Sequence, residues 1–123
     1  MRQNLEFGEK ERLMRQIVID ELSREERDNI DSFLKRTLRP GGIEGMYWLT
    51  VPDDLLGEAQ QGHEECGPFY FAVELGRDWL HFELLVRNDA NLDCSCISYA
   101  TAAQREFLLG FMDRLLLEEK IRA

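Results

Sequence analysis

Apolar residues in this 123-residue chain change their spacing several times, and each change marks an element. Leu13, Met14, Ile17 and Val18 recur as i, i+1, i+4, i+5, which predicts one face of a helix from about residue 8 to 21. Glu9 and Glu11 sit in its first turn, where acids favour the helix dipole. Ser23-Arg24-Glu25-Glu26 has the spacing of a capping box, in which the Ser hydroxyl accepts from a first-turn N–H and Glu26 reaches back. The second helix it opens buries Ile30, Phe33, Leu34 and Leu38 and stops at Arg39-Pro40-Gly41-Gly42. From Gly45 the period shortens. Met46 to Val51 reads as a strand, Pro52 to Leu56 as a short Asp-capped helix, and Gln60 to Gly67 as an acidic loop. Phe69–Leu75 and Trp79–Arg87 both alternate with period two around a tight turn at Gly76-Arg77-Asp78. Asn88 to Asn91 turns again into a fourth strand near Leu92–Ala100. Thr101 and Gln104 form a second capping box, opening a helix whose Phe107, Leu108, Phe111, Met112, Leu115 and Leu116 make a wide stripe.

The expected fold is one α+β domain over residues 1–123. It has two N-terminal helices, or one bent helix, then a four-stranded mainly antiparallel sheet. A long C-terminal helix packs on one sheet face. Pairing Leu75 with Leu80 puts Val73 opposite Phe82, Phe71 opposite Leu84 and Phe69 opposite Val86, all apolar on a shared face. A one-residue slip would mix greasy and polar sets, so burial selects this register. The reverse face then carries Tyr70, Ala72, Glu74, Trp79, His81, Glu83, Leu85 and Arg87. Extending the sheet by pairing Arg87 with Leu92 puts Phe82 against Ile97 and Leu80 against Tyr99, and Cys94 and Cys96 on the reverse face. On the last helix, Leu117 and Ile121 lie off the stripe centre and are candidates for a contact between two copies.

Charge narrows the partners. The net charge is −9, and residues 41–76 hold seven acids with no Lys or Arg. Such a field repels phosphate backbones and anionic headgroups, so nucleic acid and membrane surfaces are not expected partners. No apolar run reaches the ~18 residues of a membrane-spanning helix. Met1-Arg2-Gln3-Asn4 begins no signal peptide and three cysteines are an odd number, so a reducing cytoplasm is the expected compartment.

Two groupings carry candidate chemistry. His63-x-x-Cys66 has the spacing of two zinc ligands, and Cys94-x-Cys96 on a strand would direct two sulfurs to one side. The four could hold zinc if the 60–67 loop returns over the polar face; otherwise the thiols are ordinary small core residues. Second, His81 beside Glu74 or Glu83 resembles a carboxylate-oriented imidazole, or an ordinary cross-strand contact. The Gly41–Gly45 stretch follows a helix and precedes a strand, the reverse of a phosphate loop, and is a connector.

The expected function is a small acidic cytoplasmic protein, non-catalytic, serving as a protein-interaction or regulatory module and acting as a homodimer. Its working surface is Tyr70, Glu74, Trp79, His81, Glu83 and Leu85, bound to a protein partner or a second copy. The alternatives are a zinc- or thiol-dependent protein using His63, Cys66, Cys94 and Cys96, and a small-ligand-binding protein or enzyme using His81 and Glu83.

Overall fold

The structure, a computed structural model, describes residues 2–7 and 15–123. The α+β class holds, but the architecture differs from the expected one. Strands β1 (Arg2–Phe7) and β2 (Arg15–Asp20) precede α1 (Arg24–Thr37), β3 (Arg39–Pro40) and β4 (Met46–Thr50). There follow β5 (Tyr70–Leu75), β6 (Leu80–Glu83), β7 (Leu85–Val86), β8 (Ser98–Tyr99) and α2 (Ala102–Glu118). Six strands form an antiparallel sheet in the order β1-β2-β6-β5-β4-β3, and β7 and β8 form a separate pair.

The first predicted helix is thus a correction: residues 15–20 of the 8–21 span are strand, and Leu13 and Met14 lie outside the described residues. Ile17-Val18-Ile19 explains the outcome. A β-branched run is stiff at χ1 and suits a pleated surface, and the short apolar spacing is satisfied by either period. Ile17 and Ile19 pair with Phe82 and Leu80 and join the core, while Val18, on the opposite face, is also buried. Among the described residues there is one N-terminal helix, α1, and not two.

The fourth strand is the second correction. Only Ser98–Tyr99 of the 92–100 span is strand, and it pairs Tyr99 with Leu85 and Ser98 with Val86. The edge of β6 where it was expected is taken by β2. The expected pairings of Arg87 with Leu92, Phe82 with Ile97 and Leu80 with Tyr99 therefore do not form. The observed ladder is offset from them by an odd number of residues, and an odd offset exchanges faces.

The hairpin register is as read. Val73 pairs with Phe82 and Leu75 with Leu80. Beyond Glu83 the alignment moves by two residues, so that Tyr70 bridges Arg87. An even step keeps the faces, and all eight residues of the expected apolar side are buried. Helices cover that side: Phe111 of α2 meets Phe82 edge-on at 6.4 Å and Phe33 of α1 at 5.7 Å.

Both capping boxes form, at Ser23 with Glu26 and at Thr101 with Gln104. The Asp-capped helix after Pro52 is only a 3-10 turn, Asp53–Leu55, without a side-chain cap. Helix α1 is also tied to β4, because the Tyr47 hydroxyl donates to Asp31 Oδ1 at 2.7 Å. Burial alone would raise the Asp31 pKa, but Tyr47 and the Lys35 ammonium hold it below the ordinary value. Of the two residues expected to serve a second copy, Ile121 is buried in the chain's own core and Leu117 is 81% exposed.

Candidate metal centre

Two loops at the edge of the core build the site. In the first, a 3-10 turn at Glu64–Cys66 follows His63, and the Cys66 N–H donates to the His63 carbonyl at 2.9 Å. That turn brings residues three apart to the same side, which puts the imidazole and the first sulfur together. In the second loop Asn88 Oδ1 accepts from the N–H groups of Ala90 (2.8 Å) and Asn91 (2.6 Å). This bends the chain so that Cys94 and Cys96 return toward the core. The Cys96 N–H then donates to Cys94 Sγ at 3.4 Å.

The four donor atoms of His63, Cys66, Cys94 and Cys96 all lie within 4.8 Å of one another. Cys66 Sγ is 3.6 Å from Cys94 Sγ, and Cys94 Sγ is 3.2 Å from His63 Nδ1. A tetrahedral ion with Zn–S near 2.3 Å and Zn–N near 2.05 Å separates two sulfurs by about 3.8 Å, and a sulfur from the nitrogen by about 3.6 Å. These two pairs would open by only about 0.2 and 0.4 Å to admit the ion.

The thiols do not lie where the strand reading put them. Cys94 and Cys96 are on a loop and not on the reverse sheet face. Cys96 is fully buried within the main core cluster, Cys66 is buried, and Cys94 is half-buried. The four residues meet at the core edge beside the first turn of α2, so the 60–67 loop need not cross the polar face.

No known protein family, curated protein or solved structure matches this chain.

Among the described residues, the buried polar side chains are Gln60, Asn88 and Gln104, and all three support this site. Asn88 Nδ2 donates to Cys96 Sγ at 3.3 Å. Gln60 Nε2 donates to the Cys96 carbonyl at 2.7 Å, while its Oε1 accepts from the Gly57 N–H and from Gln104 Nε2. Gln104 Nε2 also donates to the Leu55 carbonyl, so one chain of amides fastens the acidic loop, the Cys96 backbone and the start of α2. Buried amides are costly unless satisfied, and here they fix the Cys96 sulfur and backbone in place. None was singled out from the sequence: Asn88 reads there as a turn residue and Gln104 as a cap. Only their burial reveals the second role.

The thiols differ in acidity. Hydrogen bonding from Cys96 pulls the Cys94 thiol down to about 7, whereas burial pushes Cys96 up to about 12 and also raises Cys66. Exposed Glu64, Glu65 and Asp93 in the same loops add a negative field that draws a cation.

Of the expected working surface, Glu74, His81 and Glu83 line a cavity of about 280 Å³ beside Trp48 and Ala72. Trp79 stacks on His81 at 4.0 Å between ring centroids. Tyr70 is buried, with the Arg39 guanidinium and Trp48 over its ring, and Leu85 belongs to the separate pair with Tyr99. Glu83 is occupied by a bidentate ion pair with Arg87 (2.6 and 3.0 Å).

Replacing Asn88 with Ala removes the amide held against Cys96 Sγ. Metal affinity, read by competition with a chromogenic chelator, should fall about 10- to 100-fold, as for other residues that orient ligands. Asn88→Asp keeps the oxygen that accepts from Ala90 and Asn91 and removes only the N–H on Cys96 Sγ, so an unchanged affinity in that variant would show that Asn88 acts through its turn alone.

Proposed function

We propose that this is a zinc-binding domain whose ion is structural, held by His63, Cys66, Cys94 and Cys96. The observation that carries the reading is the mutual approach of four donor atoms from two loops to within 4.8 Å. Three thiolates and one imidazole suit zinc, whereas hard cations take oxygen ligands. Four protein donors fill a tetrahedron and leave no position for water or substrate, which is the arrangement of a structural site. The ion would tie the 63–66 turn to the 94–96 loop, two segments that are otherwise short turns with little backbone pairing. No helix among the described residues is long and apolar enough to cross a membrane.

A metal-stabilised domain of this kind is compatible with the interaction or regulatory module expected from composition, with the zinc setting the loops and a protein partner or second copy as its target. Elemental analysis of the chain purified without chelator tests the metal reading. The expected result is one zinc per chain, with the content falling in Cys66→Ser and His63→Ala. A chain that carries no zinc and takes up none from an equimolar addition would reject it.

A further inference from the structure

The three sulfurs of the site are not equivalent. Cys96 is fully enclosed and its Sγ is capped by the Asn88 amide, and Cys66 is 3% exposed. Cys94 alone of the three is half-buried, which makes it the residue of the site that solvent reaches. The sulfur placed to answer is Cys66, 3.6 Å away and supplied by a separate loop 28 residues distant. An accessible thiolate beside a resolving thiol is the arrangement of a reversible oxidation sensor.

We propose that the site is a peroxide-responsive switch in which hydrogen peroxide joins Cys94 to Cys66 and leaves Cys96 reduced. Metal release rests on the zinc reading; the sulfur chemistry rests only on the placement of the three thiols. The Cys94 thiolate attacks peroxide, forms Cys94–SOH and expels hydroxide. The Cys66 thiolate then attacks the Cys94 sulfur and expels a second hydroxide. Two electrons pass from the sulfur pair to one peroxide, and two protons convert the hydroxides to water. His63 and Cys96 remain as donors, too few for a closed tetrahedral site, so the metal is lost. The new bond joins the same two loops that the metal joined, so the oxidised chain keeps its sheet and helices. A dithiol reductant restores both thiols and with them the donor set.

The test treats the zinc-loaded full chain with stoichiometric hydrogen peroxide and follows zinc release, intact mass and tryptic peptides together. Expected are one zinc released per chain, loss of two hydrogens from the mass, and a link between peptides 37–77 and 88–105 through Cys66 and Cys94. Cys96→Ser should still form that link, while Cys94→Ser should consume peroxide at least about tenfold more slowly. A Cys94–Cys96 bond, over-oxidation to sulfinic acid, or unchanged mass with zinc retained would each overturn the switch and leave the metal reading standing. A chain that neither holds zinc nor takes it up from an equimolar addition rejects the metal reading instead, and the Cys66–Cys94 link is then judged on mass and peptides alone.

Discussion

Stripping the proposed zinc with a strong chelator should lower the melting temperature of the protein by about 10–20 °C. The size follows from linkage: an ion that binds only the folded chain adds about 4 kcal/mol when its free concentration is a thousand times its Kd. For a domain of this length, each kcal/mol moves the midpoint by roughly 3–5 °C. The effect should also be local. His63 and Cys66 hold one end of the 57–67 segment, and Cys94 and Cys96 hold the turns after Asn88. Neither segment contributes to the six-stranded ladder. Amide exchange should therefore accelerate first in these two loops and last in β5 and β6. Two measurements check the account: thermal unfolding with and without chelator, and the same pair on Cys66→Ser. The variant should start at the lower midpoint and show no further drop. A wild-type midpoint indifferent to chelator would remove the metal from the stability of this fold.

Replacing Phe82 with Ala should destabilise the protein by about 3–5 kcal/mol, the range for truncating a buried aromatic ring. Phe82 has no exposed surface and sits on β6, between Ile17 of β2 and Val73 of β5. Its ring also meets Phe111, which meets Phe33, so one side chain joins the sheet to both helices. Removing it leaves a cavity where three layers of contacts converge, and close packing on all sides limits collapse. Urea unfolding gives the number directly. Leu117→Ala, at a position 81% exposed on α2, is the matching control and should stay within about 0.5 kcal/mol of the parent. A Phe82→Ala cost below about 1 kcal/mol would mean that the β2–β6–β5 centre is not the core of the fold.

The candidate metal site is partly legible in the sequence. His63-x-x-Cys66 reads as a half-site from spacing alone, because a single turn suffices to bring its two donors together. The other half, Cys94-x-Cys96, reads as strand, whereas the structure places it on a loop. Asn88 takes three neighbouring polar groups into its own bonds, turns the chain, and leaves Cys94 and Cys96 on a loop that dives to the core. Nothing in the residue types Asn-Asp-Ala-Asn distinguishes a hairpin turn from this longer excursion. The supporting amides of Gln60 and Gln104 were equally hidden, since an amide 44 residues from its partner has no local signature.

What the order of residues determined by itself is the set of short-range structures: the two capping boxes, the period-two alternation on either side of Gly76, and the face that each of those alternating residues presents. These depend on groups within a few positions of each other, whose geometry the backbone sets directly. The tertiary structure alone decided which strand lies beside β6, and with it the fate of residues 15–20 and 92–100. Two segments offered themselves for that edge, and the one that takes it is 15–20, whose Ile17 and Ile19 pair with Phe82 and Leu80. That pairing joins residues more than 60 positions apart, and no local pattern announces it.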